Sequence, residues 1–271
     1  LPAVSGNLKR HAGDRTVAGP RGGSGMEIDK DQSAALIADL DRPDKPTIRA
    51  AVDALIPRAA DSSQLRDLLN QRLAEAGHRH YWPVAYILGN LPRPSREVIT
   101  SLLDALDHHE PDIRWAISLL LSRIAKDDSD LIHLHIHLCA TGSHNEKRMA
   151  LYCLRDLALR DSASLTAFLA AIRDHEPTVR VAAAICLKTR PDIDDAGKNI
   201  LFQAYSNDVE SRVRHAAAIA LANLGSPAAE FLIELRKNSE SDNEQTKKAA
   251  VTALELLKKR RSAPSGSASD R

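Results

Sequence analysis

One leucine returns along most of the chain as Leu55, Leu88, Leu121, Leu154, Leu187, Leu221 and Leu254, at spacings of 33, 33, 33, 33, 34 and 33 residues. So regular a period restricts the fold to a stack of like units, because each unit has to offer the same apolar face to the next. The residues around the leucine identify the unit. The position before it is small or apolar (Ala54, Ile87, Leu120, Cys153, Cys186, Ala220, Ala253), and so is the position four before it (Ala51, Val84, Ile117, Ala150, Ala183, Ala217, Ala250). Apolar residues at these offsets, with Leu or Ile often three later (Leu91, Ile124, Leu157, Leu224, Leu257), share one face of a helix.

A second amphipathic stretch precedes each of these helices: Gln32 to Leu40, Arg66 to Ala76, Arg96 to Leu106, Leu131 to Cys139, Ala163 to Ile172, Lys198 to Tyr205 and Ala228 to Leu235. Each repeat is therefore a helical hairpin that cannot bury its apolar face alone. The turns agree with this reading. Asp107-His108-His109-Glu110-Pro111 and Asp174-His175-Glu176-Pro177 place proline where a second helix starts, a position whose N–H has no partner in any case. Glu110–Arg114, Glu176–Arg180 and Glu210–Arg214 are expected as i,i+4 pairs.

Composition supports closely packed helices. Hydrophobic residues make up 43% of the 271 residues but aromatics only 3%, so the core is built from Leu, Ile, Val and Ala. The formal net charge is +1, which gives no global pull towards nucleic acid or a membrane. No window approaches a membrane span. Cys139, Cys153 and Cys186 are too few and too irregularly spaced for a metal site, and read as reduced thiols in a cytoplasmic protein, the latter two as small core residues. Residues 1–25, rich in Gly, Pro, Arg and Ser, are expected to be disordered, residues 26–259 to form the repeat array, and residues 260–271 to be a disordered tail. Lys258 to Arg261 read as a cationic helix end.

The stretch Val213-Arg214-His215-Ala216-Ala217-Ala218-Ile219-Ala220-Leu221-Ala222-Asn223-Leu224-Gly225 resembles the short HEAT repeat of phycobilisome-lyase-like proteins, and Val179-Arg180-Val181-Ala182-Ala183-Ala184 repeats its opening. The resemblance covers about Asp31 to Lys259. It implies an all-α fold, a right-handed α-solenoid of about seven HEAT-like helical hairpins in an armadillo/HEAT superhelix. Ankyrin and tetratricopeptide repeats have similar periods, but their signature residues are absent.

The resemblance also implies that the second helix of each hairpin lines a concave wall. The position six before the anchor leucine would then face the groove: Arg49, Trp82, Trp115, Arg148, Val181, His215 and Lys248. Four residues later on that face stand Asp53, Tyr86, Leu119, Tyr152, Ile185, Ile219 and Thr252. Both tryptophans and two of the four tyrosines fall in these columns. The candidate binding residues are Trp82, Tyr86, Trp115, Arg148, Tyr152 and His215, since Trp, Tyr and Arg dominate interface hot spots. Half-buried aromatics also fill seams between repeats, and the pattern leaves both readings open. Pro83 is expected to start its helix near Trp82 and shift that side chain from the column. A further column, Arg114, Lys147, Arg180, Arg214 and Lys247, reads first as salt bridges to the acidic turn within each repeat and second as a cationic rim.

Catalytic patterns fare poorly. His133, His135 and His137 lie close together, but no Glu follows His133, and a helix that buries Ile132 and Ile136 leaves the histidines outside. The family includes deoxyhypusine hydroxylase, whose iron ligands are His-Glu pairs at the starts of second helices. Here those positions read Trp115-Ala116, Arg148-Met149 and His215-Ala216, and His109-Glu110 and His175-Glu176 fall several residues too early. No Walker loop or nucleophile elbow occurs. The expected function is a scaffold or adaptor that grips a protein or peptide in its groove, with no cofactor and no membrane partner. The alternatives are a nucleic-acid binder resembling the HEAT-like alkylpurine DNA glycosylases, or a bilin lyase-like protein. The oligomeric state is left open.

Overall fold

The computed structural model describes residues 24–76, 81–225 and 229–262. Residues 1–23 and 263–271, which make up most of the two expected terminal segments, lie outside it. The chain divides into two compact units at Leu55 and Ile56. In the first, α1 (Ser24–Asp39) precedes α2 (Lys45–Asp61), which runs on past the boundary. Ile37, Leu40, Ala51, Val52 and Leu55 are buried there. The Asp44 carboxylate accepts the Thr47 N–H at 3.0 Å and starts α2.

The second unit continues through α3 (Ser63–Ala76), α4 (Trp82–Gly89), α5 (Arg96–Asp104), α6 (Pro111–Ile124), α7 (Ser129–Thr141) and α8 (His144–Asp156). It ends with α9 (Ser162–Ala171), α10 (Pro177–Leu187), α11 (Asp195–Asn207), α12 (Ser211–Leu224), α13 (Ala229–Ser239) and α14 (Glu244–Ser262). A short 3-10 turn, Ala105–Asp107, extends α5. No strand occurs among the described residues. The helices pair into hairpins, and the second helices pack side by side in the order α4, α6, α8, α10, α12, α14. This is an α-solenoid, and a described helix overlaps each of the seven first-helix stretches read from the pattern, with α1 starting eight residues earlier than expected.

The anchor leucines carry the core. Leu55, Leu121 and Leu187 are fully buried, and Leu88, Leu154 and Leu221 nearly so. Leu254, in the last helix, is only half-buried, as expected where no further described repeat covers it. The column four before each leucine is buried from Ala51 to Ala250. All three cysteines are buried and free. Burial pushes the Cys139 thiol up to about 12 and the Cys153 thiol to about 11. Gly225 closes α12 at φ 75°, a backbone conformation that only glycine adopts without strain.

A second 33-residue beat appears at the first helices. Ser62, Ser95, Asp128, Asp161 and Asp194 stand 33 apart and each caps its helix, accepting the N–H of Leu65, Val98, Leu131, Ser164 and Gly197 respectively. The second-helix caps Glu110, Ser143, Glu176 and Glu210 are spaced 33, 33 and 34. The single extra residue of the array therefore lies between Asp194 and Glu210, in α11 and its turn.

The basic column joins neighbouring repeats. Arg180 Nη1 donates to the carbonyls of Asp174 and His175 in its own turn, both at 2.9 Å. Its Nε and Nη2 grip the Asp208 carboxylate of the next repeat at 2.7 and 2.9 Å. Lys147 reaches Asp174 in the same sense at 2.7 Å. Arg114 and Arg214 likewise turn back onto turn carbonyls. The expected bridge within each repeat is thus corrected for Lys147 and Arg180: the turn of the same repeat supplies carbonyls to Arg180, and the turn of the following one supplies the carboxylate to both. Geometry decides this, since a long guanidinium folded beneath its helix start meets the exposed turn carbonyls before the Glu four residues back.

His135 also departs from expectation. His133 and His137 are exposed, but His135 is fully buried with Leu131 and Cys139. The helix is rotated so that Leu131, His135 and Cys139 form its inner edge, while Ile132 and Ile136 are half-buried. His135 Nδ1 bonds the Leu131 carbonyl at 2.7 Å, and Nε2 has no partner. Lys258, Lys259 and Arg260 are exposed on α14, which continues to Ser262.

Candidate functional site

The second helices bring the two predicted columns onto a shared wall in the second unit. Trp115 on α6 is 42% exposed and Leu119, one turn on, 49%. Large apolar side chains so open on a helix that is otherwise deeply packed are not core. The Trp115 ring meets that of Tyr152 on α8 edge-on, at 5.9 Å between centroids. Arg155 lies over the Tyr152 ring at 4.8 Å. Burial raises the Tyr152 hydroxyl above its ordinary value, against the opposing charge of Arg148 one turn earlier. Arg148 is half-buried, its Nε is enclosed without a partner, and it makes no ion pair among the described residues. Its positive charge, with burial as the larger cause, depresses the neighbouring Arg114 guanidinium.

Trp82 stands apart. Pro83 in the first turn starts α4 at Trp82, and the Trp82 ring meets His108, in the next repeat's turn, edge-on at 6.3 Å. His108 in turn stacks on His109 at 4.3 Å. Tyr86 is half-buried on α4 and makes no aromatic contact among the described residues. The structure therefore brings together Trp115, Arg148 and Tyr152, and it groups Trp82 with the turn histidines.

His215 belongs to a different feature. The same two columns, continued through α10, α12 and α14, line a cavity of ≈ 480 Å³. Val181, Ile185, His215 and Ile219 come from the columns and are half-buried. Lys188, Arg212 and Lys248 also line it and are exposed. Burial, then the charge of Lys248, lowers the His215 pKa below the ordinary histidine value. The columns contain this cavity, but its walls are short branched side chains, which carry none of the aromatic signal that marks Trp115 and Tyr152. No three His, Cys, Asp or Glu side chains converge as a metal site among the described residues. None of the described helices is long and apolar enough to cross a membrane.

The sequence profile of the family described as HEAT repeats matches residues 136–222 and again 165–255. Among solved structures, the Escherichia coli protein YibA is 15% identical over 89% of this chain and 99% of its own, with a TM-score of 0.48. A designed armadillo repeat protein in complex with the peptide (KR)4 is 17% identical, over 82% and 98% of the two chains, with a TM-score of 0.39. Human deoxyhypusine hydroxylase in complex with glycerol is 14% identical, over 87% and 99%, with a TM-score of 0.34. No curated protein matches the sequence. Residues 136–255, with their paired helices, buried leucine period and cross-repeat Arg–Asp contact, are thus HEAT repeats.

Proposed function

We propose that this HEAT-repeat solenoid is a scaffold that binds a protein segment along the wall formed by its second helices. The observation that carries the reading is the Trp115–Tyr152–Arg148 group: an exposed tryptophan braced by a half-buried tyrosine, beside an arginine without a carboxylate. A rigid aromatic pair loses little conformational entropy on binding, and an unpaired, partly desolvated guanidinium favours a carboxylate in bidentate geometry. Trp82 and Tyr86 on α4 and His215 on α12, which lie outside this group, are proposed as supporting contacts elsewhere along the second helices.

The test uses the full chain with a photo-crosslinking amino acid at Leu119, introduced in its native cells. The expected result is a discrete crosslinked protein that disappears in the Trp115→Ala, Arg148→Ala double variant, while helicity and melting temperature stay within a few degrees. A large fall in melting temperature would make those side chains core, and a crosslink indifferent to the variant would remove them from the binding surface.

A further inference from the structure

The cavity on α10, α12 and α14 has a chemistry of its own. Its half-buried lining is mostly aliphatic, from Val181, Ile185, Ala216 and Ile219, with Ser211 and His215 beside them. Its exposed lining is cationic at Lys188, Arg212 and Lys248, with the neutral Gln245 among them. No carboxylate lines it, and none of the three cations makes an ion pair among the described residues. Lys147 and Arg180, by contrast, are each matched to a half-buried carboxylate. Two of the rim cations also do nothing for their own helices. Arg212 lies in the first turn of α12 and Lys248 near the start of α14, where the helix dipole favours acidic residues. Lys188, at the C-cap of α10, does complement its dipole.

We infer that this cavity receives an acidic peptide segment, seating one or two bulky aliphatic side chains on Val181, Ile185 and Ile219 while flanking carboxylates meet Lys188, Arg212 and Lys248. The inference rests on the wall being a protein-binding surface and names the kind of segment it takes. Charge complementarity selects the occupant: three cations without an ion pair around a mostly apolar floor repel a basic segment and give a neutral one no charged partner. The floor also selects against nucleic acid, which binds single-stranded along aromatic stacking platforms and a continuous basic track. The volume of ≈ 480 Å³ lies within the range of small-ligand sites, enough for anchor side chains and too little for a folded element. Continuity along the wall points to an extended chain, because Tyr152 on α8 and Val181 and Ile185 on α10 occupy equivalent columns of adjacent repeats, and Arg148 adds another unpaired cation on that path.

The experiment titrates the full chain with short dye-labelled peptides, read by fluorescence anisotropy and by the methyl NMR signals of Ile185 and Ile219. One peptide has glutamates around two leucines, a second has lysines in place of the glutamates, a third has serines in place of the leucines, and an oligothymidine serves as the nucleic-acid probe. The expected result is binding of the Glu/Leu peptide that moves both isoleucine methyls and weakens as salt is raised through about 0.15 M. The Arg212→Glu, Lys248→Glu double variant, altered at exposed positions only, is expected to weaken it by about tenfold or more. Equal or tighter binding of the Lys/Leu peptide, preference for oligothymidine, or binding that leaves the two methyls unmoved would overturn the inference. The two readings separate cleanly. A Leu119 crosslink that persists while the Glu/Leu peptide fails sinks only the acidic-segment inference. Peptide binding at Ile219 without any Leu119 crosslink sinks the wider surface and leaves the cavity as an isolated acidic-peptide site.

Discussion

Replacing Asp208 by Asn tests whether charge across the repeat junction, and not helix packing alone, holds α10 to the turn before α12. The amide keeps the oxygen that accepts the Glu210 N–H at 2.9 Å, so the cap survives and the change falls on the Arg180 contact. That contact is bidentate, and the side chains are only 12% and 9% exposed. Hydrogen bonds to charged groups contribute about 1.5–3 kcal/mol each, and stranding one member of a fully buried pair costs about 3–5 kcal/mol. Arg180 keeps its two turn carbonyls and a little solvent, so the expected loss is about 2–3 kcal/mol. The matching Asp174→Asn change removes a single lysine contact and is expected to cost about 1–2 kcal/mol. Urea unfolding at neutral pH, followed by far-UV circular dichroism, reads both. A pH series adds a second check. Burial tends to raise the Asp208 carboxyl, but Arg180, the Glu210 amide and nearby guanidinium charges together hold it below the usual carboxylate value. Its contribution is therefore present above the unfolded value of about 3.9 and lost as pH falls through the folded value, so the gap between variant and parent should close in acid. A neutral-pH loss below about 0.5 kcal/mol, the size of an ordinary surface change, would refute the reasoning.

Three further outcomes follow from burial. His135 is held neutral by burial, against its bond to the Leu131 carbonyl; its folded pKa lies below the unfolded value of about 6.5, so stability should fall as pH drops below that value, and His135→Leu should flatten the slope in a pH series of melts while costing about 1 kcal/mol or less at neutral pH. Leu121→Ala, at a fully buried anchor, should cost about 3–4 kcal/mol in denaturant titration, against about 1 kcal/mol for the half-buried Leu254→Ala; equal losses would contradict the stack. A thiol reagent near pH 8 should leave the native protein almost unlabelled and modify all three cysteines once urea is added, since each is buried with its pKa raised.

The leucine period was enough to read the hairpins, because Leu121 and Ile117 report a helical face that only a stacked neighbour can cover. Side-chain destinations were harder to read. The i,i+4 spacing of Glu176 and Arg180 suggests a local pair, yet Arg180 goes to Asp208, 28 residues on. That partner belongs to the next repeat, and spacing within a repeat carries no information about it. His135 was misplaced because Ile132 and Ile136 outweigh it in hydropathy, while the actual edge, Leu131, His135 and Cys139, is fixed by the packing of α7 against α8 and α9. The wall columns were legible as lists, and Trp115, Arg148 and Tyr152 do gather. What the columns lacked was depth: Val181 and Ile219 gain a cavity only from the spacing of α10, α12 and α14.

The five first-helix caps from Ser62 to Asp194 carry an evolutionary corollary. A genetic duplication or excision running from one cap to the next, Asp128 to Asp161 for instance, would restore every cap and every leucine to its place. The array can thus gain or shed a module without a frameshift in its architecture. The module just named also carries Arg148 and Tyr152, so such an edit would rewrite what the surface recognises while leaving the way it folds untouched.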